Sequence, residues 1–568
     1  MKMKKHIIIG AIGVMTLPLG SCSDFLELKP LNEIVLEKFW NEESDVNNIV
    51  MGCYSAMQSQ AVVDRMMAWG EFRSDNIIAG LNTQDDVSLA NLLKENIKAN
   101  NSFTAWGDFY NVINRCNIVI HFAPRVADKD PNYTQSELRA TQAEMVAMRS
   151  LCYFYLIRAF RDVPYTTEAY LDDTQEMKQA AMPFHEVLDH LIADLEAVKD
   201  YAVEKYPVTN PYAQRGRITK NAIHALLCEM YLWRQDYARA EWYADLVIDN
   251  MTAEYKKRYA SAGGLTDEDA LLFDGYPLYP DKFDKTGYYG SAYNNIFGEG
   301  NSMESILELV YMNAENYLAN NAVSVRYGNA ETSPGHVKPA DFISADVTAE
   351  GVNKVFRNKY DTRYYESMQK GGTSSVYSIS KYSCSNVMLN PSVTPFSASY
   401  REYYPKAFCR ANWIIYRLTD VMLLKAEALV QQVNTGEDGS VTEQDQAKLD
   451  QALAIVNTVN RRSCCASTYV PFEKSDYNSK SLMARLVLDE RQRELMFEGK
   501  RWFDLVRCSM RDGNTKYLVN DVIRKGSDNA SVMQSKLARL DGIFWPYNED
   551  ELKVNSLLKQ NPAFGTQE

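Results

Sequence analysis

Residues 489–507 read DERQRELMFEGKRWFDLVR, and their pattern decides the architecture. Opposite charges recur three residues apart: Glu490 with Arg493, Arg491 with Glu494, Glu498 with Arg501, and Arg501 with Asp504. Between them stand Leu495, Phe497, Trp502, Phe503, Leu505 and Val506. The spacing predicts one helix over the whole stretch, packed among other helices, with its enclosed charges neutralised by pairing. The role it predicts for these residues is structural rather than ligand-binding.

Helical periodicity extends from there toward the N-terminus. Leu418, Val421, Leu424, Ala426, Glu427 and Ala428 predict a helix whose partner carries Leu449, Leu453, Val456, Asn457 and Arg461, with the polar loop NTGEDGSVTEQDQ (434–446) between them. Thr219 is a candidate N-cap for a helix bearing Ala222, Ala225, Leu226 and Leu232. A polar break at Arg234, Gln235 and Asp236 leads to a second helix with Tyr237, Ala240, Ala244 and Val247. Small residues at such a crossing let two short helices pack closely, so the pair is similar to a tetratricopeptide unit in length and pattern. Further stripes run through Ala143, Ala147, Ser150, Leu151 and Phe154, stopping before Pro164, and through Val46, Ile49, Val50, Cys53, Tyr54 and Met57.

The middle of the chain differs. Residues 261–409 are rich in Tyr, Gly, Asn, Ser and Pro, as in FDGYPLYPDKFDKTGYYGSAYNNIF (273–297) and TSPGHVKPADF (332–342). That is loop chemistry, and its aromatic content argues against disorder. One apolar run, residues 305–311, is a strand candidate.

At the other end, Lys2, Lys4 and Lys5 precede an apolar stretch at 7–19 and then Leu19-Gly20-Ser21-Cys22. This is the pattern of a lipoprotein signal, in which small residues fit the peptidase and the Cys22 thiol accepts the lipid. Residues 1–21 are expected to be removed. Residues 22–43 read as an extended arm, and several acyl chains on Cys22 would suffice for stable anchoring.

The closing segment FWPYNEDELKVNSLLKQNPAFG (544–565) and the stretch at 489–507 closely resemble the signatures of the SusD/RagB family. YRLTD (416–420), KAEA (425–428), GRITK (216–220), EFRSDN (71–76) and residues 106–117 agree with it, in order along the chain. The resemblance implies a mostly α, SusD-like fold with tetratricopeptide-like helical pairs and a long irregular, aromatic-rich mid-chain insert. In these terms residues 44–568 form a single domain: a helical scaffold at 44–260 and 410–510, the insert at 261–409 and a closing segment at 511–568. The resemblance further implies a lipid-tethered protein facing the cell exterior. Such a protein closes like a lid on a TonB-dependent outer-membrane transporter and hands it oligosaccharide or, in some members, peptide. No cofactor and no catalysis are implied.

A receptor for neutral glycans needs aromatic faces to cover the C–H patches of pyranose rings, and amides, carboxylates or guanidinium groups to exchange hydrogen bonds with hydroxyls. The chain has 36 Tyr and 8 Trp, a supply that serves a peptide groove equally well. Two regions are candidates. The first holds Trp69, Arg73, Asp75 and Asn76, with Asn82 in the loop that follows and Asn100 and Asn101 before Trp106; related proteins carry ligand near this side of the fold. The alternative for Arg73 and Asp75 is a mutual salt bridge, and for the asparagines ordinary turn chemistry. The second is the cluster of Tyr276, Tyr279, Tyr288, Tyr289, Tyr293 and Phe297, where flanking glycines would let rings face solvent. The alternative is that they pack the loop onto the helical body. Trp545 and Pro546 read as a packed turn rather than a sugar platform.

A formal net charge of −13 argues against nucleic acid as a partner. A surface glycoside hydrolase is the main rival, but neither a strand–helix barrel pattern nor a strand-rich sandwich is legible, and the 74 acidic residues make chance carboxylate pairs uninformative. His185, Glu186 and His190 miss the spacing that sets two imidazoles on one helix face, and Asp281 and Asp284 lack that of a calcium loop. No metal site is expected. The nine cysteines beyond Cys22 show no CxxC spacing and read as buried apolar residues; only the adjacent Cys464 and Cys465 leave their redox state open.

Overall fold

The computed structural model describes residues 39–172, 174–207, 209–261, 272–281, 288–311, 319–329, 333–345, 355–370, 376–390, 398–405, 408–436, 441–466, 469–526 and 530–565. The predicted signal, the Cys22 anchor and most of the arm lie outside these residues.

The scaffold is helical. Helices α1 (Glu43–Met57), α2 (Gln60–Met67), α3 (Gly107–Ala127), α4 (Gln135–Phe160) and α5 (Phe184–Val198) build the first half. In α1, Val46, Val50, Cys53, Tyr54 and Met57 are buried and Ile49, the other member of the predicted stripe, is half-buried. Helices α6 (Lys220–Arg234) and α7 (Tyr237–Ser261) form the predicted pair. Thr219 caps α6 by accepting the Ala222 N–H, and Gln235 ends it in the left-handed conformation at φ +63°. α8 (Leu418–Gln431) and α9 (Glu443–Arg462) make the later pair, with α7 packed on α8.

Short antiparallel strand pairs organise the mid-chain stretch. β1 (Ile77–Ala79) pairs with β3 (Val337–Pro339), which ties it to the N-terminal half, whereas β4 (Cys384–Leu389) pairs with β5 (Ala398–Tyr403) within it. The predicted strand is β2 (Ser305–Leu309), which pairs with β6 (Trp413–Arg417). Every residue of β2 and β6 is buried, as a two-stranded ribbon enclosed by helices requires.

The single helix expected at 489–507 is two. α10 (Lys480–Leu495) stops at Met496, and α11 (Arg501–Asp512) starts five residues later. Phe497 and Gly499 between them take φ of +68° and +73°. The turn redirects the charges, so that of the four predicted local pairs only Glu490–Arg493 forms, at 2.7 Å. Arg491 binds Asp420 and Asp504, each at 2.9 Å. Arg501 binds Asp75 and Asp521, at 2.8 and 3.0 Å. Glu498 takes Lys381 and Arg417, at 2.6 and 2.7 Å. Glu494 gathers Arg363, Arg417 and Arg462. Burial alone would raise the Glu494 carboxyl, but the guanidinium groups of Arg462, Arg417 and Arg363 outweigh it and hold it well below the usual carboxylate range. This stretch therefore joins α8, α9, the insert and the N-terminal half through fully enclosed ion pairs.

Candidate functional site

The turn between α10 and α11 is held from the other end of the chain. The buried Glu71 carboxylate accepts the N–H groups of Phe497, Gly499 and Lys500 at 3.0, 3.1 and 3.3 Å, and the Asn76 amide at 2.8 Å. Burial pushes its carboxyl up to about 7, against the pull of these donors. Such a site anchors backbone; it has no surface on which a ligand could sit.

Several of the candidate binding residues belong to this anchor. Trp69 is fully buried, packs on Phe109 and Phe160, and donates its Nε1–H to the Phe103 carbonyl at 2.8 Å. Arg73 is 1% exposed; it pairs with Glu95 at 2.9 Å, donates to the Gly542 and Ile543 carbonyls, and lies 4.3 Å from the Trp502 ring. Asp75 accepts from Arg501 and Gln492, so the Arg73–Asp75 bridge does not form. Asn76 spans Glu71 and Gln492, each at 2.8 Å. Asn101 is 5% exposed, donates to the Ser88 carbonyl at 2.8 Å and accepts the Phe103 N–H, which is turn chemistry. Tyr293 is 2% exposed and donates its hydroxyl to the Ser380 carbonyl at 2.9 Å. These six side chains are spent on the fold, because each is buried and its polar atoms exchanged water for protein partners, some within the same turn and others far away in sequence.

The remaining three are half-buried at the surface, on different pieces of sheet. Asn82 lies in the loop after β1, where Gly80 donates to the His336 carbonyl at 2.9 Å. Arg326 braces this loop by binding Asp86 at 2.7 Å and Asp64 at 2.5 Å. Tyr288 and Tyr289 lie beside β4: Tyr289 exchanges both backbone hydrogen bonds with Leu389, at 3.0 and 2.9 Å. Asp281 fixes the following turn by accepting the Gly290 and Ala292 N–H groups. Of the other cluster members, Phe297 is buried, while Tyr276 and Tyr279 are half-buried against the core.

A groove of about 680 Å³ runs between α3 and the closing segment, past Trp106, Tyr110, Tyr170 and Glu551. Its amides are already committed. Asn114 exchanges hydrogen bonds with the Tyr170 backbone, and Asn117 is shared between the Glu168 carbonyl and Arg149. Trp545 is fully buried beside Arg73, at 5.6 Å, so it is packed as expected and offers no sugar platform, although Trp545 and Pro546 lie in irregular chain rather than a turn. Among the described residues there is no group of three or more His, Cys, Asp or Glu side chains arranged to hold a metal ion, and no helix long and apolar enough to cross a membrane.

Comparison with known proteins matches residues 293–564 to the family model for the SusD family, and residues 24–232 to one described as starch-binding, associating with the outer membrane. The SusD-like protein P38 of Formosa agariphila is 27% identical over 524 residues, spanning 90% of this chain and 92% of its own. A SusD superfamily structure from Bacteroides thetaiotaomicron superposes with a TM-score of 0.62 at 20% identity, over 93% of this chain and 99% of that one. A laminarin-binding SusD-like protein superposes with a TM-score of 0.56 at 20% identity, over 92% and 100%. The paired charges at 489–507, the α8–α9 pair and the closing Trp-Pro segment fall within residues 293–564, EFRSDN and GRITK fall within residues 24–232, and the protein belongs to the SusD/RagB family.

Proposed function

We propose that this protein is a non-catalytic, cell-surface glycan-binding lipoprotein, anchored through Cys22, that captures oligosaccharide and delivers it to a TonB-dependent outer-membrane transporter. The observation that carries the reading is the match of residues 24–232 to a family described as starch-binding and associating with the outer membrane. The likeness to a laminarin-binding protein supports a glucan-like ligand class. Asn82, Tyr288 and Tyr289 are the candidate contacts that keep a surface side, and a tyrosine pair on a braced loop offers rings at low ordering cost. Individual sugar contacts of this kind are weak, so retention in this reading relies on enclosure between lid and barrel.

The test is a glycan and peptide array probed with the purified protein, followed by incubation with the best polysaccharide and an assay for new reducing ends. Binding of neutral oligosaccharide without cleavage is expected. Binding of peptides alone would replace the ligand class, and release of reducing ends would replace the non-catalytic assignment. Co-purification of a barrel transporter from outer membranes tests the delivery step.

A further inference from the structure

Seven of the eight tryptophans are at most 4% exposed: Trp40, Trp69, Trp106, Trp233, Trp413, Trp502 and Trp545. Trp242 is 50% exposed. A fold that encloses indoles this thoroughly has left one in water, on α7, and it lines a groove of about 640 Å³ between α6, α7 and the segment after α5. That volume is in the range of pockets that hold small ligands.

The groove supplies what the aromatic alone does not. The Trp242 ring is braced edge-on by the buried Tyr243, with centroids 4.7 Å apart at 73°. Asn250 donates its amide N–H to the Asn221 side-chain Oδ1 at 3.0 Å on the groove wall. Among the described residues the Asn221 amide N–H groups and the Asn250 oxygen have no further partner, in contrast to the committed amides of the Trp106 groove. His224 lines the floor at 4% exposure, with no partner for its Nδ1. Burial, then Lys220 and Lys199, lowers its pKa to about 4, so the imidazole is neutral near pH 7.

The charge balance narrows the ligand. Lys199 and Lys220 bind Asp200 at 3.3 Å each, and Lys220 also reaches Glu204 at 3.7 Å. With Lys205, Lys257 and Glu254 the lining holds four lysines and three carboxylates, a nearly balanced set interspersed along the wall, which creates no strong field of either sign and suits a neutral chain of hydroxyls. We infer that the Trp242 groove is a second saccharide subsite, on the helical-pair face of the protein, that stacks one pyranose ring of a neutral glycan on the indole and bonds its hydroxyls through Asn221 and Asn250. It rests on the glycan reading above and adds a contact remote in sequence from Asn82, Tyr288 and Tyr289. Two weak subsites on one polysaccharide raise its effective affinity without either being tight.

Wild type, Trp242→Ala and the double variant Tyr288→Ala/Tyr289→Ala are compared on the glycan array, then by titration with laminarin and soluble starch and with any stronger array hit. Thermal melting checks that each variant is folded. Trp242→Ala is expected to weaken binding of the preferred glycan about five- to tenfold, in keeping with one lost ring contact, and Trp242→Phe to restore part of it. Bound glycan should also shield indole fluorescence from acrylamide in wild type and not in Trp242→Ala. Unchanged glycan affinity in Trp242→Ala, with loss in the tyrosine variant, overturns the subsite and leaves the proposed function standing. Unchanged glycan affinity with lost recovery of the barrel overturns it in favour of a protein-docking surface. If wild type binds no glycan at all, both readings fall.

Discussion

Gly70 lies directly against Gly499: a Cβ at position 70 would stand 1.9 Å from the Gly499 carbonyl oxygen and 2.6 Å from its carbonyl carbon. The two backbones touch because position 70 has no side chain, and the contact brings the N-terminal half onto the turn between α10 and α11. Gly70→Ala is therefore expected to cost about 3 kcal/mol or more, since the obstruction is backbone and cannot rotate away. Thermal melting should show a drop of several degrees. A wild-type melting curve would mean that the two segments are not in contact.

Glu71, next in the chain, carries a pH signature. Its carboxyl titrates at about 7 in the fold against an ordinary 4.5. The folded state thus holds this proton more tightly, so the stability Glu71 confers is full below pH 4.5 and declines as pH rises toward 7. The difference between the two values corresponds to about 3 kcal/mol. Glu71→Gln removes the titration, so the gap in stability between wild type and variant should shrink from pH 4.5 to 7 and stay level above. Denaturant melts at several pH values read this, and a gap that widens over that range would contradict it.

Arg417 has the opposite dependence. It binds Glu494 at 2.6 Å and Glu498 at 2.7 Å and is 2% exposed. Both carboxyls are held below their ordinary value, because these guanidinium and ammonium partners outweigh burial. Their contribution is present above the ordinary carboxylate range and is lost as pH falls through it. Arg417→Met strands two buried carboxylates beside the remaining cations, and the expected cost at pH 7 is about 3–5 kcal/mol. The variant should also lose less stability than wild type on acidification, as followed by circular dichroism from pH 7 to 3.

The outcome separates what local sequence encodes from what distance decides. The stripe and cap of α6, with Thr219 at its start and Gln235 at its end, were legible because every interaction lies within four residues. The break at Phe497 was not, since the carboxylate that satisfies it is Glu71, more than four hundred residues away. EFRSDN reads as a ligand face because it is polar and aromatic. Its burial depends on Glu95, Gln492, Arg501 and the Gly542 and Ile543 carbonyls, which no short window contains. Trp242 could have been found: it falls out of phase with Tyr237, Ala240, Ala244 and Val247, and an indole off the apolar stripe of a helix is a residue without a core to enter.

The anchor is tested at one atom. In the proposed reading the Cys22 thiol carries the lipid. Cys22→Ala should abolish incorporation of labelled fatty acid and move the protein out of the outer-membrane fraction, while the purified variant keeps its melting temperature and glycan affinity. Label retained in the variant would place the modification elsewhere.

A pair of substitutions divides structural from ligand-binding aromatics and cations. Arg73→Ala removes the partner of buried Glu95 and two donors from the Gly542 and Ile543 carbonyls, so it should destabilise by about 3–5 kcal/mol, with glycan affinity falling only as folded protein is lost. Tyr288→Ala acts on a half-buried ring at the rim of the insert, where truncation should leave the melting temperature within a degree or two and weaken glycan binding several-fold. Melting curves and titrations on both variants give four numbers, and the reading requires the large stability change and the large per-molecule affinity change to fall on different residues. If Tyr288→Ala instead unfolds the protein and folded Arg73→Ala loses its ligand, the surface loops are scaffold and the site lies inward, around the Glu71 anchor.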